Sequence, residues 1–328
     1  MVYQKLSKCS NVAAMNNNRI HLTPRDFEVV FQDNLSEFVK KKIKHFNFLA
    51  QMVSVQDRDK ILLKIIKTLL DPQVAKAGRH RQLQWEKGWA ENLKALKSHK
   101  IESIIPLYFG KYNVVRWRQE FLRPRSSNFE YNMLAVIQYW LFDKYLRSTE
   151  CIYEFGCGTG HNLLRVREIN PKAQIWGLDW THSSQEIIKM ISADKNDSRL
   201  YADNFDFSNP DKNFSLNKKS VVYTVAALEQ LGDNFQPFID FLLEKKPEIC
   251  LHIEPIAELL NEENLVDYLS ILYFKKRNYL SGFLLKLREL KEAGKIKIHM
   301  AKRTFIGSLY IEGYSVVVWS PVFKEKVS

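Results

Sequence analysis

Apolar positions recur every three or four residues in the first part of this chain and gather into short β-rich runs in the rest. Phe27, Val30, Phe31, Leu35 and Phe38 keep a helical spacing behind Thr23-Pro24, which reads as a cap followed by a proline at the first helical position. Ile61, Leu62, Ile65, Ile66 and Leu69 predict a second helix that begins at Asp57 and stops near Asp71-Pro72. A third is expected from Leu83 to Leu96 and carries Trp85 and Trp89, whose expected role is core packing. Pro106, Gly110 and Pro124 mark a loop, after which Asn128 to Leu146 reads as helix.

Beyond residue 150 the pattern changes. Strands are predicted at Cys151–Phe155, Gln174–Asp179, Ser220–Val225 and Ile249–Glu254, with helices at Asn162–Ile169, Ser183–Ser192 and Gln236–Lys245. Such alternation implies βαβ units and a mostly parallel sheet. Lys295–Phe305 and Tyr314–Pro321, joined through Gly307 and Gly313, are expected to pair as an antiparallel end to that sheet. The fold class is therefore α/β, with a mainly helical region over 1–149 and a sheet domain over 150–328.

Charge sharpens this division. Residues 1–149 hold 26 Lys and Arg against 13 Asp and Glu, and residues 150–328 hold 23 against 24, so the whole excess of +12 lies in the first part. A basic half suits an acidic partner: a phosphate-bearing small molecule, nucleic acid or an anionic surface. A solvated lysine-rich helical face is the plainer explanation. No run of about 18 uncharged apolar residues exists, so no membrane-spanning helix is expected. Lys5, Lys8 and Asn16-Asn17-Asn18 leave no apolar signal-peptide core. Cys9, Cys151, Cys157 and Cys250 have no CxxC spacing, which argues against structural zinc and for free thiols in a cytoplasmic protein. The first twenty residues and the last few are the stretches expected to lack order.

Glu154-Phe155-Gly156-Cys157-Gly158-Thr159-Gly160 falls between a predicted strand and a predicted helix. Glycines there permit a tight turn and close approach of a ligand, and the following helix start offers free amides. Asp179 ends the next strand, where a doubly wound fold places a carboxylate for ribose hydroxyls. The spacing is GxGxG behind an acid. It resembles the first motif of the class I S-adenosylmethionine-dependent methyltransferases, over roughly residues 150–321. That resemblance implies S-adenosylmethionine as cofactor. Glu154, Gly156, Gly158 and Gly160 would contact or orient its methionine part, Asp179 would bind the ribose, Trp180 would lie beside the adenine, and Asp203 would hold the adenine amino group. A narrower likeness, carried by Trp85-Glu86-Lys87-Gly88-Trp89-Ala90-Glu91-Asn92 and His252-Ile253-Glu254-Pro255-Ile256, is to methyltransferases of sugar and surface-polysaccharide pathways.

Methyl transfer to a hydroxyl needs alignment and a proton acceptor. Candidates beyond the strand ends are His252, Glu229 and Glu254. His252 has an ordinary pKa suited to neutral pH, although its strand position equally fits a hydrogen-bonded core histidine. Glu229 and Glu254 alone are thin support for a metal, and none is expected. His161, just after the last glycine, is a further candidate to face the acceptor. Three clusters of basic and aromatic residues are candidates for substrate recognition: Arg79-His80-Arg81, the Arg116, Arg118, Arg123 and Arg125 group, and Tyr273 to Tyr279. The four arginines of the middle group are the preferred substrate ligands. The leading reading is O-methylation of a sugar or related small molecule, nucleotide- or lipid-linked. Its alternatives are an RNA methyltransferase and a non-catalytic binding module of the same fold; no RNP, KH or zinc-finger pattern supports RNA.

Overall fold

A computed structural model describes residues 19–98 and 104–322. The chain opens with β1 (Arg19–His21), α1 (Pro24–Phe31), α2 (Glu37–His45), β2 (Leu49–Met52), α3 (Val55–Leu70) and α4 (Gln82–Lys97). Thr23 and Asp26 make a reciprocal cap on α1, and the Ser54 hydroxyl accepts from Asp57 N at 3.2 Å to start α3. The single helical run expected from Pro24 to Phe38 is broken in two. Gln32 turns left-handed at φ 47° and Ser36 caps a fresh helix, which rotates Leu35 and Val39 into the same core as Phe27 and Phe31.

The expected loop around Pro106 to Pro124 contains two strands, β3 (Val115–Trp117) and β4 (Glu120–Pro124). They are short, and Pro124 sits at a strand end, so neither leaves a periodic signal. The next helix, α5 (Phe129–Tyr145), is buried over most of its circumference. That is what a helix wedged between layers requires. It packs against α2 on one side and against the sheet domain on the other.

The second half follows with β5 (Cys151–Phe155), α6 (His161–Ile169), β6 (Gln174–Asp179), α7 (His182–Asp194), β7 (Leu200–Asn204), β8 (Ser220–Val225), α8 (Gln236–Lys245), β9 (Ile249–Glu254), α9 (Leu265–Arg277), α10 (Phe283–Glu292), β10 (Ile296–Lys302), β11 (Ile306–Gly307) and β12 (Ser315–Pro321). Seven of its strands form one sheet in the order β10-β12-β9-β8-β5-β6-β7. β9, β8, β5, β6 and β7 run parallel, and β12 inserts antiparallel between β9 and β10. This is the mostly parallel, doubly wound sheet with an antiparallel closing hairpin that the strand–helix alternation implied. One face is covered by α5, α6 and α7, the other by α8 and α10 with a dense set of phenylalanines.

The closing hairpin also reaches outside its own sheet. Between its strands, Ile306 and Gly307 pair with Trp117 and Arg116, completing a five-stranded antiparallel sheet of order β1-β2-β4-β3-β11. Arg116 is buried between the Phe121 ring and acceptors of the second half. Its guanidinium donates to Val266 O at 2.9 Å, Leu309 O at 3.2 Å, Tyr310 O at 2.8 Å and the Ser270 hydroxyl. One hydrophobic core runs from Phe27, Phe31 and Phe48 through α5 to Ile253, Val316 and Val318.

Apart from Arg19 and Ile20 in β1, the terminal stretches expected to lack order lie outside the described residues, and so does Cys9. The other three cysteines are buried free thiols. Among the described residues no helix is long and apolar enough to cross a membrane.

Candidate functional site

β5 delivers the chain to the glycine loop at the centre of the sheet. Gly156, Gly158 and Gly160 all have positive φ, at 74°, 53° and 72°. Space is as restrictive as torsion at the first two. A Cβ on Gly156 would come within 2.5 Å of the Ala227 methyl, and one on Gly158 within 3.0 Å of the Trp89 ring. The loop is tied down by its neighbours: Gly156 N and Cys157 N donate to Leu178 O, and Gly158 N donates to the Asp179 carboxylate at 3.0 Å. The other Asp179 oxygen accepts from Thr181 N and Oγ1 at 2.9 and 2.8 Å. Burial raises the Asp179 pKa, and the Thr181 and Gly158 donors oppose that rise.

A slot opens beside this loop, lined by Gly156, Asp179, Trp180, Phe205, Phe207 and Ala226, with Asp206 at its edge. Edge-to-face packing of Phe205 on Phe155 at 4.5 Å and of Phe207 on Phe238 at 4.8 Å fixes the aromatic wall. Trp85 and Trp89 of α4 close the slot from above, with their rings 5.4 Å apart and the Trp85 Nε1 buried without a partner. So covered, it encloses about 70 Å³. Three polar contacts hold this lid: Glu86 accepts from Ser183, Gln82 donates to Trp180 O, and Arg79 pairs with Asp206 at 2.7 Å.

A second, larger chamber of about 460 Å³ adjoins it. Its walls carry six tyrosines, Tyr108, Tyr112, Tyr273, Tyr279, Tyr310 and Tyr314, together with Arg81, Arg277, Glu130, Glu229 and His161. The Tyr273 and Tyr310 rings stack at 4.8 Å and 7°. Trp85, Trp89, Gly156, Ala226 and Gln230 line both cavities, so slot and chamber meet at the glycine loop.

The loop after β8 sets the floor of that junction. Ala226 takes φ 48°, a left-handed strain of about 1 kcal/mol for a residue with a side chain. Glu254 over-determines it: its carboxylate accepts from Ala227 N at 3.0 Å, Leu228 N at 3.2 Å and Glu229 N at 3.3 Å. The result turns the Glu229 side chain into the chamber. There burial pushes its pKa up to about 7, against the Gln230 amide and the nearby Arg277 and Arg81 charges. Glu130 is also pushed up to about 7 by burial while it accepts from the Tyr314 hydroxyl at 3.0 Å. His161 shares its Nδ1 with Thr159 Oγ1 at 3.1 Å and leaves Nε2 buried and unpartnered; burial first, and Arg165 second, hold it well below the ordinary histidine range.

Several residues expected at the site sit elsewhere. His252 is a core histidine: Nδ1 meets Thr224 Oγ1 at 2.9 Å, Nε2 accepts from Trp319 Nε1 at 3.0 Å, and burial drops its pKa to about 3. It lines neither cavity, and both of its ring nitrogens are already engaged. Glu254 organises the loop from behind. Glu154 lies beneath the glycine loop, where it accepts from Asn162 at 2.7 Å and Tyr223 at 2.9 Å. Gly160 packs toward Ile188. Asp203 is exposed, with its carboxylate on Asn204 N, and the acid at the slot is Asp206, three residues on.

The four preferred arginines do not reach the chamber either. Arg116 is consumed by the backbone acceptors of the second half, Arg118 and Arg125 are exposed on the five-stranded sheet, and Arg123 pairs with Asp57 at 3.1 Å. Arg81 and Arg277 stand there instead, from the other two basic and aromatic clusters.

No family model matches the chain, and no curated protein matches it. Solved structures are similar to it. The [4+2]-cyclase SpnF is 14% identical with a TM-score of 0.49, over 75% of this chain and 97% of its own. The N-methyltransferase NodS from Bradyrhizobium japonicum WM9, in complex with S-adenosyl-L-homocysteine, is 10% identical with a TM-score of 0.43, over 59% and 88%. NcsB1, an O-methyltransferase from neocarzinostatin biosynthesis, is 14% identical with a TM-score of 0.42, over 73% and 69%. What this chain does has to be drawn from its own side chains.

Proposed function

We propose that this chain is a methyltransferase that holds S-adenosylmethionine in the slot and methylates a hydroxyl of a sugar or related small molecule held in the tyrosine-lined chamber. The observation that carries this reading is that both cavities converge on Gly156 and Ala226, so a ligand in one meets a ligand in the other. The residues fit the cofactor. Asp179, at the end of β6, would take the ribose hydroxyls in exchange for its hold on Gly158 N. Trp180, Phe205 and Phe207 would flank the adenine, and Asp206 would take the amino-group role expected of Asp203. Gly156 and Gly158, whose Cβ positions are already taken up by Ala227 and Trp89, would let the backbone approach the methionine part closely. A volume of about 70 Å³ lies well below the roughly 300 Å³ at which ligand pockets begin. The Trp85–Trp89 lid and its three polar contacts must therefore give way on loading.

Bound there, S-adenosylmethionine supplies a methyl group made electrophilic by its sulfonium. The protein's part is alignment and proton management. Glu229 is the proton acceptor in this reading, because a carboxyl with a pKa of about 7 is matched to neutral pH. His161, held neutral and with its Nε2 unpartnered, lines the chamber and would help to position the acceptor hydroxyl. Tyrosine faces and hydroxyls suit the alternating apolar and polar edges of a sugar ring. The region over 1–149 serves as the acceptor-side cover, through α4 and Arg81.

Calorimetric titration with S-adenosylhomocysteine tests the reading. Wild type should bind with a Kd of roughly micromolar order, and Asp179→Ala, checked to be folded at the titration temperature, should weaken binding at least about tenfold. No binding by the folded wild type would sink the proposal.

A further inference from the structure

Resting on that reading and deepening it, we infer that Arg81 and Arg277 form a site for an oxyanion, so that the acceptor carries a carboxylate or phosphate group as well as the hydroxyl to be methylated. The two guanidinium groups face one chamber from opposite halves of the chain. Arg81 precedes α4, and Arg277 ends α9. The loop between α3 and α4 is fastened to α9 beside them, through Ala77 N on Arg277 O at 2.6 Å and Asn278 Nδ2 on Ala77 O at 3.4 Å.

Neither is paired with a carboxylate among the described residues. Arg81 donates Nε to Gln84 Oε1 at 2.9 Å and Nη1 to Gln230 Oε1 at 3.2 Å, both neutral acceptors, and lies 5.3 Å from the Trp85 ring centre. Arg277 donates no side-chain hydrogen bond to any described residue. Its Nε is buried without a partner, and its guanidinium lies 5.2 Å from the Tyr279 ring centre. Burial and the Arg277 charge together lower the pKa of Arg81, which places two like charges within reach of one another.

Arg303 and Arg167, which are also partly buried, are treated differently. Arg303 is clasped by Asp267 at 2.8 Å and Glu312 at 2.5 Å, and Arg167 by Asp197 at 2.7 Å. Half-buried cations without counter-ions are unfavourable unless something else neutralises them. Glu229 is the nearby acid, and with a pKa of about 7 it carries only part of a charge near neutrality. Two forked donors converging on a cavity match the oxygen geometry of carboxylate and phosphate.

The test uses glucuronate, glucose 6-phosphate and glucose as probes, titrated calorimetrically into the full chain with and without saturating S-adenosylhomocysteine. At least one anionic probe should bind about tenfold tighter than glucose, and that preference should shrink as salt rises. Which anion wins distinguishes a carboxylate acceptor from a phosphorylated one. Arg277→Gln should erase the preference and Arg277→Lys should keep part of it, with S-adenosylhomocysteine affinity unchanged in both. Equal or absent binding of all three probes to wild type, or a preference that survives Arg277→Gln, overturns the oxyanion site. Loss of S-adenosylhomocysteine binding would instead strike the cofactor reading alone, since the probe preference is scored separately.

Discussion

The slot and the chamber share five residues and are built on opposite principles. The slot is mostly local: a single stretch from Gly156 to Leu231 supplies everything but its tryptophan lid. Its shape follows from backbone chemistry, namely glycines at positive φ, an acid at a strand end and a strained alanine after β8. The chamber is collected from residues as far apart as Ala75 and Tyr314, and its character comes from side chains that meet only once the second sheet has formed. A backbone-built cradle tolerates no added atom. A side-chain-built chamber should tolerate substitution and change what it selects.

That contrast breaks first at Gly156. Gly156→Val should abolish S-adenosylhomocysteine binding, because its Cβ meets Ala227 at 2.5 Å and Phe207 at 3.2 Å in a left-handed backbone. Unaltered calorimetric binding by that variant would show that the cradle is not where the cofactor sits. On the chamber side, Glu229→Gln should leave cofactor affinity alone and lower kcat about 100-fold. Wild-type activity should climb with pH through about 7 as Glu229 loses its proton, and the variant should lack that limb. A pH profile of equal shape in both proteins would remove Glu229 from the chemistry.

The smallest expected effect is on stability. Burial raises Glu154 and Glu254 to about 8 and Glu130 and Glu229 to about 7, so from about pH 4.5 upward the folded chain keeps protons that the unfolded chain has lost. Their contribution to stability therefore falls as pH rises from about 4.5 to 8. His252 acts in the other direction: with a folded pKa of about 3, it favours folding above pH 6.5 and loses that contribution as pH drops. The four acids outnumber the buried histidines, so the melting temperature should be highest near pH 4.5 and fall towards pH 8. Glu254→Gln should flatten the alkaline side by the order of 1 kcal/mol, or about 2 °C. An unchanged alkaline slope would mean that Glu254 is ionised in the fold.

Legibility in the sequence followed the same division. The strand and helix alternation after residue 150, the GxGxG turn, Asp179 and the antiparallel hairpin are local signals and lie where their spacing implied, whereas the period from Phe27 to Phe38 ran across a break between two helices. β3 and β4 escaped because strands of three and five residues carry no usable period. His252 looked like a base because its partner, Trp319, arrives from a strand 67 residues later. Arg116 looked like a substrate ligand for the same reason, whereas Arg277 is visible as a free cation only against the paired arginines around it. Between Asp203 and Asp206, strand position pointed to the first, and the turn after β7 brought the second to the slot.

The embrace of Arg116 also orders events in time. A ribosome releases the first half of this chain long before Tyr310, 194 residues downstream, can accept from that guanidinium. Until then a charged side chain waits beside an unfinished sheet whose fifth strand has not been made. The contacts that bury Arg116 therefore close only after Tyr310 has emerged.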